Sequence, residues 1–211
     1  MVIDHLVYAS NDLPRAALAV AETMGVTLQP GGSHVGRGTY NELLSLGGAT
    51  YLEVIGPDPS QARPEGPRPF GIDALTAPAL VAWCVRPRRP LLAIVEEARA
   101  AGIDFGDVSA MSRRRPDGVL LEWELTQPQL DGPLGRALPF MIDWGDAAHP
   151  SDTLRPAVRL IGLDVFTPDA ALLRTALDIV GVVSDVEVHD SDAAGLRARI
   201  ETSKGDVTLS S

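Results

Sequence analysis

One pattern recurs along the 211 residues and limits the fold more than any other feature: a strand, a helix closed by glycine, then several short strands. In the first copy residues 2–9 predict a strand. Asn11-Asp12 offers an N-cap, and Pro14 stands just inside the helix that follows. Gly25 has the position of a helix-ending glycine. The first copy therefore opens as a strand and an amphipathic helix.

The same order returns about 80 residues later. Residues 80–85 predict a strand, Pro90 stands where a helix would begin, and Gly102 would close it. Paired β patterns around short glycine turns follow the helix, as they do in the first copy, and they predict β-hairpins. These patterns lie at 41–46 and 51–55 in the first copy and at 119–126 and 140–144 in the second.

A third copy begins with a predicted strand at residues 160–166. Thr167 is the predicted N-cap of its helix, Pro168 the first helical residue, and Gly181 the end. Hairpin patterns follow at 196–202 and 207–209. Strands and helices in this order indicate an α+β fold, with a helix on one face of each sheet. The other face must be buried or must form a cavity.

The copies set the expected organisation of the chain, which we treat as one domain. A proline-rich stretch separates the first two copies, since prolines at this density cannot sit within a sheet. The expected parts are a first βαβββ module at 1–56, a linker at 57–78, a second βαβββ-like module at 79–145, a loop at 146–157 and a third, βαββ-type module at 158–211.

Composition narrows the class of protein. A net charge of −10 argues against a nucleic-acid partner, whose phosphates would be repelled. No apolar stretch approaches membrane-spanning length, and the first residues lack the basic start of a signal peptide, so we expect a cytoplasmic protein without a membrane partner. Nine of the 18 basic residues, all arginines, fall between Arg63 and Arg115. They form either a solvated loop or a positive wall for an anionic ligand; residues 113–118 (RRRPDG) predict an exposed hairpin tip.

Several segments resemble one known superfamily. Residues 3–7 (IDHLV), followed by 11–13 (NDL), resemble the opening of vicinal-oxygen-chelate modules, found in glyoxalases, extradiol dioxygenases and bleomycin-resistance proteins. The resemblance extends over nearly the whole chain and implies βαβββ modules whose cupped mixed sheets carry helices on their outer face. It is closest to a glyoxalase-like branch at residues 38–41 (GTYN), 51–56 (YLEVIG), 69–71 (PFG) and 138–144 (LPFMIDW).

The resemblance implies a metal site with a histidine from the first strand and a glutamate from the last strand of a module. His5 and Glu53 match these positions, and this donor pair suits Fe, Mn, Ni or Zn. The second module departs from the family, because Ala82 and Ile142 stand at the equivalent positions and cannot bind a metal. His149 would complete a set of two histidines and one carboxylate, or it is a solvated loop residue. We expect one divalent metal or none.

Other residues are expected to contact a small-molecule ligand. His34 lies in the glycine-rich stretch 31–38 and could act beside Glu53 as a catalytic acid or base; the alternative is a plain turn. Each ligand-contact residue also has an alternative as a structural hydrogen-bonder or a core residue. The predicted contacts are Asn41, Arg86, Asp143, Trp83, Trp123 and Trp144.

Three functions remain open from the sequence. The chain could be a metal-dependent lyase, isomerase or dioxygenase acting on a small oxygen-rich molecule. It could instead be a metal-free protein that binds and sequesters a small molecule. In a third interpretation it forms a homodimer in which the third copy completes a neighbour's sheet; we expect a homodimer in any case. No P-loop, dinucleotide-binding or Ser-His-Asp motif is present.

Overall fold

The computed structural model describes residues 2–127, 129–182 and 186–211, and within them a strand–helix–three-strand unit occurs three times. The first unit contains β1 (Val2–Ala9), α1 (Leu13–Met24), β2 (Gln29–His34), β3 (Thr39–Ser45) and β4 (Tyr51–Pro57). The second contains β5 (Ala79–Arg86), α2 (Leu91–Ala100), β6 (Val108–Arg114), β7 (Leu120–Thr126) and β8 (Phe140–Asp143). The third contains β9 (Arg159–Thr167), α3 (Ala170–Val180), β10 (Val186–Asp190), β11 (Gly195–Thr202) and β12 (Gly205–Ser210).

The first two units close on each other. Their strands form one sheet in the order β1-β4-β3-β2-β6-β7-β8-β5, and β5 pairs back to β1. The β1–β4 and β5–β8 pairs are parallel and the remaining pairs antiparallel, so the sheet is mixed. Helices α1 and α2 pack on the outside. The predicted α+β fold, with cupped mixed sheets and helices on the outer face, is confirmed.

The third unit forms a separate four-stranded sheet in the order β10-β9-β11-β12. Its buried residues join those of α1, α2 and the outer face of the closed sheet in one hydrophobic cluster. Among them Leu163 and Leu173 from the third unit share this cluster with Trp83 from β5. The third unit thus packs on the helix side of the closed sheet, away from its interior.

Both ends of α1 follow the sequence, whereas the start of α3 differs from it. Asp12 caps α1 by accepting the Arg15 N–H at 3.2 Å, and Gly25 ends the helix with φ of 70°. The predicted N-cap of α3, Thr167, is wrong. Asp169 is the cap and accepts the Leu172 N–H at 2.8 Å, because its carboxylate binds an orphan backbone donor more strongly than a hydroxyl does.

Three strands were not predicted. Strand β2 runs through the glycine-rich stretch, and β6 includes Arg113 and Arg114 of the expected exposed tip. Strand β10 gives the third unit three strands after its helix, where the sequence predicted two. Glycines in β2 and arginines in β6 weaken the alternating apolar pattern that marks a strand, and in β10 this alternation is limited to Val186 and Val188.

Side chains alternate between two cores as the strand patterns predict. Leu6, Leu52 and Val54 lie in the cluster on the helix side. Val7 and Ile55 lie in a second cluster inside the closed sheet. Among the described residues no helix combines the length and apolar character needed to cross a membrane.

A β-bulge interrupts this alternation at the start of β1. Ile3 pairs with Val85 and His5 with Cys84, so Asp4 is the extra residue between them. Ile3 belongs to the helix-side cluster, as does Leu6 three residues on. The bulge therefore lets the consecutive side chains of Asp4 and His5 meet inside the sheet, where strict alternation would separate them.

Candidate functional site

The interior of the closed sheet holds a cavity whose mouth is open to solvent; the cavity and its mouth together contain about 630 Å³ of empty space. Its wall is apolar over most of its area and polar at one end, the usual make-up of a small-molecule site. The polar end consists of His5, His34, Thr39, Asn41, Glu53 and Arg113, with Arg37 and Gln127 also on the wall. The apolar wall consists of Tyr51, Ile55, Pro69, Phe70, Met111, Trp123, Leu125, Phe140, Ile142 and Trp144.

Four neighbouring strands each bring one side chain to the polar end. In the order β1, β4, β3 and β2 these are His5, Glu53, Asn41 and His34. Each is at most 7% exposed. Adjacent strands lie about 4.8 Å apart, so a row of inward-facing side chains across four strands places polar groups within contact of one another.

Glu53 is the centre of the row. Its Oε2 lies 3.8 Å from His5 Nε2, and its Oε1 lies 3.5 Å from His34 Nε2. The Asn41 amide donates to Glu53 Oε1 at 2.5 Å. One carboxylate thus lies between two imidazole nitrogens and also accepts a hydrogen bond from the amide.

The far nitrogen of each imidazole is held by a neighbour. His5 Nδ1 lies 2.7 Å from Asp4 Oδ1; because a carboxylate only accepts hydrogen bonds, Nδ1 carries a proton, and in the neutral imidazole this tautomer leaves the lone pair on Nε2. His34 Nδ1 lies 3.0 Å from the Thr39 hydroxyl. Burial lowers the pKa of His34 to about 4, against the raising influence of Glu53, so this imidazole is neutral at pH 7.

Arg113 fixes which way the Asn41 amide points. Arg113 Nη1 donates to Asn41 Oδ1 at 3.3 Å, so the amide NH₂ must face Glu53 and His34, whose Nε2 is 3.4 Å away. A side chain at Gly31 would collide with both Asn41 Oδ1 and Arg113 Nη1. The glycine-rich stretch is therefore what allows these two residues to meet beside β2.

Asp4 links the row to His149, a histidine outside it. It is fully buried, and its Oδ2 accepts from Trp144 Nε1 at 3.1 Å and lies 3.0 Å from His149 Nε2. Burial alone would raise the pKa of Asp4, but hydrogen bonds from His149 and His5 outweigh it and hold that pKa well below its usual range. Asp4 is therefore an ionised carboxylate that orients the His5 imidazole.

The polar end offers a donor set that fits a divalent metal. His5 Nε2, His34 Nε2 and a Glu53 oxygen form a set of two imidazoles and one carboxylate, and each outer nitrogen is tied to a neighbour, as is usual for metal-binding histidines. The three donor atoms do not all lie within 4.8 Å of one another, so Glu53 or an imidazole would have to move on binding. Asp4, His5 and Cys84 are closer together, but burial raises the pKa of the Cys84 thiol well above its usual value and so disfavours the thiolate.

Three predicted ligand contacts lie outside the cavity. Trp83 is on the helix side of β5, where its Nε1 donates to the Ala137 carbonyl at 3.0 Å. Arg86 approaches Asp4 Oδ2 at 3.7 Å and does not reach the cavity. Asp143 follows the inward-facing Ile142 on β8, so alternation turns it to the surface, where it accepts the Gly145 N–H. These three predictions are corrected.

His149 does not line this cavity either; it lines a neighbouring pocket that shares Arg113 with the cavity. The rings of Tyr51 and Trp144 pack edge-on against it, with centroids 5.7 and 5.5 Å away. Its Nε2 is used by Asp4, so the predicted metal set of His5, Glu53 and His149 does not form. His34 takes the place that the sequence analysis gave to His149.

Trp123, Trp144, Asn41 and His34 do line the cavity, as expected of ligand contacts, while their roles stay predictions. Two important residues were missed. Asp4 was visible beside His5, but only the bulge turns it inward. Arg113 was assigned to an exposed tip, yet it is 4% exposed on the cavity wall. No pattern in the arginine-rich run distinguishes this arginine from its neighbours.

Comparison with known proteins agrees with the fold. The family model of the glyoxalase-like domain matches residues 3–181. The chain belongs to this family. The vicinal-oxygen-chelate resemblance is thereby confirmed. No curated protein matches the chain.

One solved structure supports the same fold, and two further ones are similar at lower TM-scores. A hypothetical protein from Staphylococcus aureus is 14% identical, with a TM-score of 0.62 over 99% of this chain and 84% of that one. The methylmalonyl-CoA epimerase from Mycobacterium tuberculosis is 19% identical, with a TM-score of 0.40 over 66% of this chain and 84% of that one. A xylose isomerase-like TIM barrel/4-hydroxyphenylpyruvate dioxygenase fusion protein is 17% identical, with a TM-score of 0.41 over 98% of this chain and 32% of that one.

Proposed function

We propose that this glyoxalase-like protein is a metal-dependent enzyme, of the lyase, isomerase or dioxygenase type, acting on a small oxygen-rich molecule in the cavity. One observation carries the proposal: two imidazoles with their outer nitrogens held by Asp4 and Thr39 turn their inner nitrogens toward the Glu53 carboxylate. When bound, the metal supplies Lewis acidity for neighbouring oxygens of the substrate. His5, His34 and Glu53 would hold it.

The remaining residues of the polar end would orient the substrate. Asn41 and Arg113 are joined by a hydrogen bond and face the same end of the cavity as Glu53. The aromatic and aliphatic wall would exclude water and so strengthen these polar contacts. The metal would be Fe, Mn, Ni or Zn, which this donor set suits.

Metal analysis of the purified protein tests the proposal. We expect near-stoichiometric metal in the unaltered protein and loss of it in His5→Ala and in Glu53→Gln. The His34→Ala variant assigns the third donor: lost metal makes His34 a ligand, and retained metal leaves it with the predicted acid or base role. A folded protein that takes up none of the four metals after incubation contradicts the proposal.

A matched control comes from the third unit. Asp164, Glu187 and His189 also lie within 4.8 Å of one another, so metal could be bound there instead. Arg199 lies 3.5 Å from Asp164 and 3.3 Å from Glu187, and its charge opposes a cation. We therefore expect His189→Ala to keep its metal. Loss of metal in His189→Ala, with retention in His5→Ala, would place the metal site outside the cavity.

A metal-free binding protein is the second candidate, and one observation favours it. The Asn41 amide NH₂ donates to Glu53 Oε1 and lies near His34 Nε2. These are the acceptor atoms that a metal would use, so the amide satisfies them without a metal. In that case the protein holds no metal, and His5→Ala leaves ligand binding unchanged. The predicted homodimer and cytoplasmic location stay predictions; light scattering that gives twice the monomer mass would establish the dimer.

A further inference from the structure

Two buried N–H groups on the cavity wall have no partner among the described residues: Arg113 Nε and Trp123 Nε1. Arg113 is 4% exposed and Trp123 is 8% exposed. A buried donor without an acceptor destabilises the folded state, so such groups are rare and each needs an explanation, such as a bound water, ion or ligand that supplies the acceptor. Two of them on one cavity wall indicate a ligand that brings acceptors.

The two donors lie on adjacent strands. Arg113 of β6 pairs with Leu121 of β7, and Met111 pairs with Trp123, so Arg113 and Trp123 are diagonal neighbours. Both side chains line the cavity, and diagonal neighbours on one face of a sheet are close enough for long side chains to reach the same group. One ligand group can therefore accept from both.

Arg113 is also a buried cation without an ion-pair partner in contact. Within the described residues no carboxylate forms an ion pair with its guanidinium; the Glu53 charge acts on it from a greater distance, and its one hydrogen bond goes to the neutral Asn41 Oδ1. A guanidinium with a free Nε–H presents a fork that matches a carboxylate. We therefore expect the missing hydrogen-bond acceptor of Arg113 to be an anion and not a neutral carbonyl.

The rest of the wall limits the body of the ligand. Beyond the polar end the cavity is lined by side chains such as Phe70, Met111, Leu125, Phe140 and Ile142. Glu53 is the one acidic residue on the described wall. A sugar or a polyphosphate would find few partners there, whereas an aromatic or branched aliphatic group would be well packed.

We propose that the substrate is a monoanion with a hydrophobic body, whose carboxylate accepts hydrogen bonds from Arg113 Nε and Trp123 Nε1; this inference rests on the proposed function. Its hydrophobic part lies against the aromatic wall. The carboxylate supplies the charge that the buried guanidinium lacks. Any metal-chelating oxygens of the substrate would lie toward His5 and Glu53, on the same polar end.

Calorimetric titration with a small panel of probes tests the ligand class. The acids are phenylacetate, 3-phenylpropionate, indole-3-acetate and cyclohexylacetate, each compared with its neutral amide and with acetate. We expect at least one acid to bind at least about tenfold more tightly than its amide, since a hydrogen-bonded charge contributes more than a tenfold change in affinity. Acetate, which lacks the apolar body, should bind far more weakly. The proposal is overturned if no acid binds more tightly than its amide.

Two matched pairs of variants test the two donors. Arg113→Met should weaken binding of the acid at least about tenfold, whereas Arg114→Met, one residue along β6 and exposed, should not change it. Trp123→Phe should weaken binding about threefold to tenfold. Trp83→Phe, whose indole bonds the Ala137 carbonyl outside the cavity, should leave binding intact.

Stability separates a lost contact from a lost fold. Trp83→Phe breaks a satisfied hydrogen bond and should lower the melting temperature, whereas Trp123→Phe removes an unsatisfied donor and should not. A Trp123→Phe variant that binds the acid normally would exclude the indole from recognition.

Repeating the titration after removal of metal with EDTA separates this inference from the proposed function. If acid binding needs Arg113 but survives both EDTA and His5→Ala, the anion site stands and the metal does not hold the carboxylate. If binding disappears in His5→Ala and persists in Arg113→Met, the metal holds the carboxylate. The inference is then wrong, and the proposed function stands.

Discussion

Asp4 is the residue on which the geometry of the site depends most. Its carboxylate holds His5, His149 and the Trp144 indole together, and it is completely buried. A buried carboxylate destabilises the folded state only slightly while hydrogen-bond donors surround it. It destabilises the fold strongly once those donors are lost. The residue thus stabilises the fold and fixes the imidazole that faces Glu53.

Replacing this carboxylate should cost stability. We expect Asp4→Asn to lower the free energy of unfolding by about 2–3 kcal/mol, because the amide NH₂ would face donors that need an acceptor. Urea unfolding at pH 7 measures the change. The surface variant Asp143→Asn should stay within about 0.5 kcal/mol of the unaltered protein. Equal stability of the two variants would show that the Asp4 contacts contribute little.

Asp58 gives the stability a pH dependence. Burial alone would raise its pKa, but hydrogen bonds from Ser33, Ser60 and Gln61 hold that pKa at about 2. The folded pKa is below the unfolded value of about 3.9, so the stabilisation is complete above pH 4 and is lost as pH falls toward 2. These bonds anchor the chain just before the segment that brings Phe70 to the cavity wall.

We therefore expect Asp58→Asn to be less stable than the unaltered protein at neutral pH, by up to about 2 kcal/mol, and the difference to shrink between pH 4 and pH 2. Urea unfolding across pH 2.5–7 measures both curves. The exposed Asp192→Asn variant serves as the control. A difference that stays constant with pH would exclude ionised Asp58 as its source.

At the scale of elements, the bulge in β1 and the close contact of β4 with α1 decide where the site residues point. The contact requires a glycine: a Cβ at Gly56 would lie 2.6 Å from Leu13 Cβ and 2.8 Å from the Ser10 carbonyl. Leu13 is the first residue of α1, and Glu53 stands three residues before Gly56 on β4. The glycine lets the strand that carries Glu53 run close beneath the helix start.

Gly56→Ala should overpack this contact and lower the free energy of unfolding by about 1–3 kcal/mol. Gly66→Ala is the matched control, since no atom lies within 4 Å of its added Cβ and its backbone has no positive φ. We expect that variant to be as stable as the unaltered protein or slightly more stable. Chemical unfolding of both variants measures this difference in the free energy of unfolding. Equal stabilities would show that β4 can move away from α1 without loss of stability.

At the scale of the whole molecule, the three units share one core. Buried residues of all three helices and both sheets belong to the same cluster, and the third unit contributes Leu163, Leu173 and Ile200 to it. The cavity, by contrast, is lined by the first two units and by Pro69 and Phe70 of the segment that connects them, and by none of the described residues of the third unit. The third unit therefore supports the site by covering the outside of β5.

This shared core predicts one unfolding transition. Leu173→Ala, fully buried in α3, should lower stability by about 2–5 kcal/mol. The native tryptophans, all in the second unit, should report the same midpoint as a Phe166→Trp reporter in the third sheet. Leu18→Ala, at a side chain that is 60% exposed, is the control. Two separate midpoints would show that the third unit unfolds independently.

The sequence by itself determined the repeated unit, the faces of the strongly apolar strands and the pairing of His5 with Glu53. These follow from periodicity and from the family resemblance, both of which are local along the chain. It did not reveal strands β2 and β6, where glycines and arginines interrupt the alternation, or β10, where the alternation covers only Val186 and Val188.

Only the tertiary structure decided which polar residues share the cavity. The bulge turned Asp4 inward, and closure of the sheet placed Arg113 of the second unit beside Asn41 of the first. The tertiary structure also places His34 beside Glu53, where the sequence analysis had expected His149. The physical reason is that burial and partner choice depend on contacts between residues far apart in sequence, and no local pattern records them.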